Sequence, residues 1–425
     1  MILLISTTAI LDCSIDLPEG KGDGTYLSPD AKATLIVNGD ERILKLSGSN
    51  YEMGYNYGYL LGAEIINVIQ DYIFWIIKYE GHDYSDAVSV LKDFTWDKAY
   101  LDEMQGMLDG IKDALPEEDR MVKPKGEKAR LIALDDIKIA HVLADMECSS
   151  FAIWDEGRSD SSVLLARNMD YIHDQKDVVK KYQVIISFDD GLNKRWVSTS
   201  ICGYAGCLTG INEDGVCAMM HSTNEFPTSD AGGFVPRGFA LRRIIETAGA
   251  SNTPAEVEAM FDSMPALIGN NFFICFPSQG RTNDEIAGVI EYDGDATHPD
   301  GRATLRSPSD NPGLPKNSSC DQTLEFTSGI INTNHYLKRS TGIPESGTSS
   351  VDRYLSVKKD LIQAKSDGNA DMDEALKILR NVQTGGTIHS VILEPDNMKL
   401  HIFLAEPYMS APDCQRRDYD FEELF

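Results

Sequence analysis

Apolar residues recur at two different spacings along this chain. From about residue 50 to residue 147 they recur every three or four positions, which is the period of an amphipathic helix. After Cys148 they form short runs separated by Gly, Asp, Asn and Pro, which is typical of strands and turns. The clearest helical run is Leu101, Met104, Leu108, Ile111 and Leu115.

Paired apolar runs on either side of turn residues predict several hairpins after Cys148. The clearest join residues 184–186 to 196–198, 207–211 to 216–219 and 391–393 to 401–404. Helical stretches lie between them, and one begins at Thr253 with a capping box completed by Glu256. Strands, then helices, then strands predict a layered α+β domain. The sequence contains no internal repeat.

Cys148 stands at the start of another predicted hairpin. Apolar residues 151–154 and 163–166 flank the turn residues 155–160. If the chain turns in the middle of that segment, antiparallel pairing sets Cys148 roughly opposite Met169.

Two charged residues follow from that pairing. Arg167 and Asp170 would lie within a few strand steps of the Cys148 sulfur, at about 3.3 Å per step. A guanidinium near a cysteine favours the thiolate, so the hairpin predicts a nucleophile. The structural, non-catalytic alternatives are that Cys148 is a core residue and that Arg167 and Asp170 form an ion pair.

Length and charge exclude several classes of protein. The 425 residues can bury a large core, and 39 basic against 67 acidic residues give a net charge of −28. That charge argues against binding to nucleic acid or to an anionic membrane through general electrostatics. No apolar run approaches the roughly 20 residues that span a bilayer, so we expect a soluble protein.

Metal and cofactor sites are not indicated. The eight cysteines contain no Cys-x-x-Cys pair, and we expect most of them to be small core residues. Asp293, Asp295 and Asp300 do not have the spacing of an EF-hand loop and predict a solvated excursion. We therefore expect neither a metal nor a cofactor.

Two further segments leave alternatives open. Residues 1–13 are mildly apolar, without a basic region or a cleavage site, and are either a truncated signal peptide or a first strand. The protein is accordingly either exported or cytoplasmic. Residues 72–77 are aromatic and apolar, which suits a core segment or the interface of a homo-oligomer. Gly54 and Gly58, one helical turn apart, predict close helix packing.

Six segments, in order, resemble the cysteine branch of the N-terminal-nucleophile (Ntn) hydrolases. That branch includes choloylglycine hydrolases, penicillin V acylases and the isopenicillin N acyltransferase family. The segments are Glu52-Met53-Gly54-Tyr55 with Gly58, Cys148-Ser149-Ser150-Phe151, Arg167-Asn168-Met169-Asp170-Tyr171, residues 211–216 with Asn224, Asn332-Thr333-Asn334-His335-Tyr336, and Ser349 to Tyr354 with Arg353.

The resemblance implies a fold and a division of the chain. The fold is a four-layer αββα sandwich, in which two antiparallel sheets lie between helical layers. Residues 1–147 would be a largely helical N-terminal pro-segment that remains attached after self-cleavage. Residues 148–425 would be the catalytic domain.

The resemblance also implies a mechanism. Cys148 would attack the carbonyl of Glu147, and hydrolysis of the resulting thioester would free Cys148 as a new N-terminus. Its α-amine, with a reference pKa of about 7.7–8.0, would then act as the general base. Asp170 would orient that amine, and Arg167 would favour the thiolate.

Three further residues receive roles by the same resemblance. Asn224 would hold the oxyanion, Asn334 would assist the amine or the oxyanion, and Arg353 would stabilise charge at the nucleophile. Asn212 competes with Asn224 for its position, and Asn332 competes with Asn334. His335 could instead be interpreted as the base of a thiol protease.

The implied reaction is hydrolysis of a linear, non-peptide amide through an acyl-thioester, or transfer of the acyl group to an amine. The implied substrate is a small N-acyl amide or an acyl lipid. One alternative is a lipid deacylase of the phospholipase B-like type that uses the same nucleophile. Another alternative is a binding protein that has kept the fold without the activity.

Overall fold

Strands and helices alternate in blocks along the chain. The computed structural model describes residues 15–142, 146–171, 177–223, 232–316, 320–339, 347–368 and 370–425, and only the backbone of Met146 and Glu147. Over these residues the protein is a mixed α+β structure with two large sheets.

The strands of the described ranges vary in length from two to eleven residues. In chain order they are β1 (Gly24–Leu27), β2 (Ala33–Asn38), β3 (Glu41–Ser47), β4 (Met121–Val122), β5 (Arg130–Leu131), β6 (Met146–Asp155), β7 (Ser161–Tyr171), β8 (Gln183–Asp189), β9 (Trp196–Ile201), β10 (Thr209–Asn212), β11 (Cys217–Ser222), β12 (Asn270–Cys275), β13 (Ala287–Tyr292), β14 (Ala303–Arg306), β15 (Gly329–Asn332), β16 (Thr387–Glu394), β17 (Lys399–Leu404) and β18 (Arg416–Asp420).

The helices of the same ranges lie at intervals between the strands along the chain. They are α1 (Asn50–Val68), α2 (Phe74–Tyr79), α3 (Tyr84–Val90), α4 (Lys98–Ala114), α5 (Leu134–Val142), α6 (Val178–Lys181), α7 (Arg237–Thr247), α8 (Pro254–Met260), α9 (Asn283–Ile286), α10 (Ser349–Asp367) and α11 (Met372–Asn381). A π-helical turn, Ile69–Ile73, joins α1 to α2. The predicted capping box of Thr253 and Glu256 begins α8.

Two sheets carry most of the strands. The larger has the order β1-β2-β3-β8-β9-β10-β11-β12-β13-β14, and the smaller has the order β15-β6-β7-β16-β17-β18. Their described pairings are antiparallel except for β3 with β8. The hairpins predicted from paired apolar runs are confirmed as β8–β9, β10–β11 and β16–β17.

Successive residues on each strand face different parts of the core. Ile185 of β8 lies in a cluster with Ala152 of β6, so these side chains fill the space where the two sheets meet. The next residue, Ile186, packs with residues of α1, α4 and α7. On β6 the residue before Ala152, Phe151, packs with α10 and α11. Successive residues of β6 and β8 therefore contribute to different core clusters.

The N-terminal part contains more strand than its apolar spacing predicts. β1, β2 and β3 precede the helices, and β3 runs parallel to β8, with Ile43 opposite Ile185. The helical spacing begins only at about residue 50, and residues 24–47 lie before it. Their place at the end of the larger sheet is a long-range pairing that the local pattern does not reveal.

Close packing of α1 against α4 confirms the interpretation of the two early glycines. A Cβ atom on Gly54 would lie 1.9 Å from the carbonyl oxygen of Glu103, and one on Gly58 would lie 1.9 Å from that of Met107. The contact is reciprocal, since Gly106 and Gly110 of α4 approach the backbone of α1 almost as closely. The two helices therefore touch backbone to backbone.

The continuous helical stretch Asn50–Tyr79 is long and apolar enough to cross a membrane by length and composition alone. However, 83% of its apolar window is buried inside the protein. Burial of that extent is what a core helix shows. The aromatic residues 72–77 belong to this stretch, and Phe74 and Ile77 pack in the core cluster of the helical layer.

We expect Gly58→Ala to lower the free energy of unfolding by roughly 1–3 kcal/mol, because the new methyl group meets an immobile backbone carbonyl. Gly62→Ala on the same helix is the matched control. Its Cβ would lie 3.3 Å from the flexible side chain of Ile111, and alanine favours the helix. Urea unfolding of both variants checks this, and equal stabilities would contradict the packing argument.

Candidate active site

Cys148 lies on β6, which is the second strand of the smaller sheet, between β15 and β7. Its cross-strand partner on β7 is Met169, as the turn chemistry of the hairpin predicts. The side chain is fully buried, with no exposed surface. A cleft of about 120 Å³ on the described surface is lined by Thr95, Tyr100 and Phe239 and does not include Cys148.

The sulfur of Cys148 is held by a guanidinium. Arg167 Nη2 donates to Cys148 Sγ at 3.0 Å and also to the carbonyl oxygen of Met220. Arg167 Nη1 donates to Thr209 Oγ1 at 2.6 Å and to the carbonyl oxygen of Leu208. Within the described ranges no carboxylate lies within salt-bridge distance of Arg167. The predicted proximity is therefore present, and the alternative of an Arg167–Asp170 ion pair is wrong.

Burial opposes ionisation of the thiol. Burial raises the pKa of Cys148, Arg167 lowers it, and Asp170 raises it again, with a net result above the ordinary value. The sequence argument that a guanidinium favours the thiolate therefore names a real contribution but not the largest one. Desolvation of a fully enclosed sulfur outweighs one charge-assisted hydrogen bond. In the described structure the sulfur of Cys148 is therefore a thiol at neutral pH.

The backbone of Cys148 is held by two side chains from separate motifs. Its N–H donates to Asn334 Oδ1 at 2.7 Å. Its carbonyl oxygen accepts a hydrogen bond from Arg353 Nη1 at 2.5 Å. Arg353 Nη2 also donates to Asn334 Oδ1 at 3.0 Å, so the two side chains fix one another. Two side chains that lie 186 and 205 positions along the chain from Cys148 thus meet at its peptide groups.

Local structure explains how these two side chains reach the nucleophile. Arg353 lies one turn into α10, the helix that packs against β6. Asn334 follows β15, the strand that pairs with β6. Its backbone N–H donates to Ser350 Oγ at 2.8 Å, and its Nδ2 donates to the carbonyl oxygen of Ser222 at 2.7 Å. Both ends of the Asn334 amide are therefore engaged.

Asp170 lies on β7 directly opposite Glu147. It is almost fully buried, and the Thr387 hydroxyl donates to its Oδ1. The strand register thus puts Asp170 beside the peptide bond between Glu147 and Cys148. Neighbouring strands enclose β6 tightly, because it is hydrogen-bonded on both sides, to β7 and to β15.

The asparagine predicted to hold an oxyanion, Asn224, lies outside the described residues. Its competitor Asn212 has a structural task. Asn212 Oδ1 accepts from the N–H groups of Asp214 and Val216, and its Nδ2 donates to the carbonyl oxygens of Ile245 and Ala248. Asn212 closes the β10–β11 turn and ties it to α7, so it is not available to a reacting group.

The other two competitors do not contact Cys148. Asn332 pairs with Ser150 across β15 and β6 and is buried, and its amide has no hydrogen-bond partner among the described residues. His335 Nδ1 lies 2.7 Å from Ser350 Oγ, and its Nε2 lies 2.8 Å from Gln322 Nε2. Burial, helped by nearby Arg charges, lowers the pKa of His335 to about 3. The interpretation of His335 as a thiol-protease base is therefore wrong.

Several polar residues behind the nucleophile were not found by sequence analysis. Ser150 Oγ lies 2.8 Å from His221 Nε2, and Thr209 Oγ1 lies 3.0 Å from His389 Nε2. All four side chains are buried. A signal was present at the start of β16, where Thr387, His389 and Ser390 are polar in a strand that continues with the apolar residues 391–393. Polar residues on the buried face of a strand mark a site.

Metal ligands do not cluster in this part of the protein. Across the ranges that the structure covers, no group of three or more His, Cys, Asp or Glu side chains could hold a metal ion. The acidic residues of the loop after β13 are engaged otherwise, since Asp293 binds Arg339.

Comparison with known proteins gives weak matches. No family model matches the chain. An uncharacterised protein of Archaeoglobus fulgidus is 26% identical over 196 residues, which are 42% of this chain and 32% of that protein. The chain therefore matches about a third of the length of that relative.

Several solved structures are similar at low identity. They include a Caenorhabditis elegans N-acylethanolamine-hydrolyzing acid amidase orthologue (15% identity, TM-score 0.39, 59% of this chain and 93% of that one), a conjugated bile acid hydrolase mutant from Clostridium perfringens (13%, 0.41, 65% and 93%) and penicillin V acylase from Agrobacterium tumefaciens (13%, 0.37, 64% and 91%). Identities and TM-scores of this size are too low to fix a fold family.

The buried histidines make stability depend on pH. Burial lowers the pKa of His141 to about 4 and that of His335 to about 3, and it lowers the pKa values of His221 and His389 well below the ordinary 6.5. Below pH 6.5 these histidines become protonated in the unfolded chain but stay neutral in the folded chain. Each such histidine therefore removes up to about 1.4 kcal/mol of stability per pH unit as pH falls from 6.5 toward its folded pKa.

Urea unfolding between pH 7.5 and 5 checks this, and we expect stability to fall steeply below pH 6.5. His141→Gln should reduce the slope, because glutamine supplies one donor and one acceptor for Ile137 and Ala205 without titrating. An unchanged slope in that variant would contradict the assignment of His141 as a neutral buried group.

Proposed function

We propose that this protein is a self-processing cysteine amidase of the Ntn type, with Cys148 as its nucleophile. One observation carries the proposal. Each functional atom of Cys148 has its own polar side-chain partner: Arg167 at Sγ, Asn334 at the backbone nitrogen and Arg353 at the carbonyl oxygen. A cysteine that only fills the core requires none of these hydrogen bonds. Side-chain hydrogen bonds to both the N–H and the carbonyl oxygen of one residue are expected when that backbone takes part in the reaction.

The first step of the proposal is an N-to-S acyl shift at Glu147–Cys148. Cys148 Sγ attacks the carbonyl carbon of Glu147, a C–S bond forms, and the C–N bond to Cys148 breaks. The thiol proton leaves with the nitrogen, which becomes a free amine. Water then cleaves the thioester, giving a carboxylate at Glu147 and a free thiol at Cys148.

The second step uses the new amine as the base. With a reference pKa of about 7.7–8.0, an α-amine is partly unprotonated at neutral pH and can take the thiol proton. The hydrogen bond from this nitrogen to Asn334 Oδ1 already orients it in the uncleaved chain. The register places Asp170 on the neighbouring strand, where its carboxylate would stabilise the ammonium form.

Catalysis on a substrate follows the same course. The sulfur attacks the amide carbonyl, the tetrahedral oxyanion forms, and the amine leaves with the proton held by the N-terminus. Arg353 supplies positive charge beside the nucleophile, and Asn224 stays the predicted oxyanion donor. Hydrolysis of the acyl-thioester by water, or its capture by an amine, completes the cycle.

We further propose the four-layer αββα arrangement and the division at residue 147. The core clusters support it, since each sheet packs against helices on one face and against the other sheet on the opposite face. Cleavage at Glu147–Cys148 would leave residues 1–147 bound. They supply β3 to the larger sheet, and Glu103 of α4 pairs with Arg242 of α7 at 2.8 Å, both fully buried.

Size analysis of the purified protein tests self-processing. Scaled by length from 47.0 kDa, cleavage after Glu147 gives fragments of about 16 and 31 kDa. We expect the wild type to convert to these fragments and Cys148→Ala to remain a single chain without activity, because no sulfur is available for the acyl shift. Mass spectrometry should identify Cys148 as the new N-terminus.

Cys275→Ala is the matched control for that experiment, since Cys275 is an equally buried cysteine on β12. It should cleave like the wild type. A wild-type chain that stays intact and inactive after long incubation would instead favour a binding protein of the same fold.

A substrate panel tests the bond that is cleaved. We expect processed enzyme to release amine from N-acyl amino acids or acylated amines, because the amine base can protonate a poor nitrogen leaving group. Lysophospholipids, which present an ester, form the other arm. Turnover of lysophospholipids alone would replace the amidase proposal with a lipid deacylase.

A further inference from the structure

Arg167 is an unusual cation. It is fully buried, and within the described ranges no carboxylate pairs with it. Its guanidinium contacts two backbone carbonyls, the hydroxyl of Thr209 and the sulfur of Cys148. Its Nε has no hydrogen-bond partner in the same ranges. A buried cation that lacks a counter-ion depends strongly on each acceptor it has.

Thr209 is the only side chain besides Cys148 that accepts from this guanidinium in the described structure. It lies on β10 of the larger sheet, whereas Arg167 lies on β7 of the smaller one. The Nη1–Oγ1 distance is 2.6 Å, which is short for a charge-assisted hydrogen bond. Thr209 therefore joins the two sheets at the nucleophile.

The proton positions around Thr209 follow from its partners. Arginine can only donate, so Thr209 Oγ1 is an acceptor toward Arg167. Its own hydroxyl hydrogen can then be donated to His389 Nε2, which lies 3.0 Å away. With the ring proton on Nδ1, which is buried and has no hydrogen-bond partner among the described residues, His389 Nε2 accepts this hydrogen. A ring protonated at Nε2 would leave the hydroxyl hydrogen without an acceptor and would crowd Arg167 with a second donor.

We propose that Thr209 and His389 are positioning residues that hold the Arg167 guanidinium against the sulfur of Cys148. The neutral imidazole fixes the direction of the Thr209 hydroxyl, and the hydroxyl oxygen fixes Arg167. This inference rests on the proposed role of Cys148 as a nucleophile. It adds two residues that touch neither the sulfur nor the scissile peptide group.

The charged environment keeps His389 in the accepting form. Burial and the charge of Arg167 both lower the pKa of His389. The imidazole therefore remains an acceptor throughout the range in which the thiol titrates. The titratable or charged groups that surround Cys148 and these two positioning residues are Arg167, Asp170 and Tyr171 on β7, Arg353 on α10, His221 on β11, His389 on β16 and Cys207 before β10.

The pH profile of self-cleavage tests the proposal. Thr209→Val keeps the shape of the residue and removes the acceptor. We expect cleavage about tenfold slower at neutral pH, because a hydrogen bond to a charged group is lost. We also expect the rising limb of the profile to move to higher pH, because a loosened guanidinium favours the thiolate less. Fragment formation on gels, over a pH series from acid to alkaline, gives both quantities.

Two variants separate positioning from general damage. Thr209→Ser keeps the hydroxyl and should restore both the rate and the profile. Thr199→Val removes a buried hydroxyl from the residue directly opposite Thr209 on β9, and it should behave like the wild type. A wild-type profile in Thr209→Val, or a failure of Thr209→Ser to restore cleavage, would overturn the proposal while leaving self-processing intact.

A second measurement does not depend on cleavage. The measurement uses NMR of the Cys148→Ala variant labelled with ¹⁵N-histidine. The ring resonances of His389 are those that disappear when His389→Gln is added. We expect them to report a neutral ring protonated at Nδ1. Adding Thr209→Val should change the Nε2 shift of that ring alone. A ring protonated at Nε2 would overturn the proposal. A wild-type chain that never cleaves, with the Nδ1 form intact, would instead reject the proposed function and keep the hydrogen bonds from His389 through Thr209 to Arg167.

Discussion

The burial of one guanidinium determines how the two sheets meet. Arg167 projects from the smaller sheet and has to find its acceptors in the larger one, at Leu208, Thr209 and Met220. A cation without a carboxylate can be enclosed only if carbonyl and hydroxyl dipoles surround it. This requirement fixes β10 and β11 against β7. Among the described hydrogen-bond partners of Arg167, only the Cys148 sulfur can become an anion. The residue that joins the two sheets is therefore also the residue that would stabilise the proposed thiolate.

The N-terminal part is held to the rest of the protein by interactions of a different kind. Backbone contact at Gly54 and Gly58 joins α1 to α4. A buried ion pair between Glu103 of α4 and Arg242 of α7 then joins α4 to α7. Arg242 also stacks over aromatic rings, at 4.7 Å from the centre of Phe188. Breaking such a buried pair from one side leaves an uncompensated charge. Covalent continuity at Glu147 is therefore not what keeps the two parts together.

Much of the site could be predicted from the sequence because its signals are local. The turn after Trp154 sets the register of β6 and β7, and that register alone puts Arg167 near Cys148. Asn334 and Arg353 came from family resemblance and not from spacing, since their contacts cross 186 and 205 residues. The parallel pairing of β3 with β8 was missed for the same reason. Local periodicity predicts which face of a strand is buried, but it does not predict which distant strand pairs with it.

The raised pKa of Cys148 bears on the order of events. In the described structure the sulfur is protonated at neutral pH and fully buried, on a strand that pairs with β7 on one side and with β15 on the other. A sulfur with no exposed surface in the described structure is closed to an external substrate in that state. Loss of the Glu147–Cys148 bond would remove the chain on one side and put a basic nitrogen beside the sulfur. Under the proposed self-processing, burial before cleavage would therefore restrict the nucleophile to its own peptide bond, and the cut that opens the site would also supply the base.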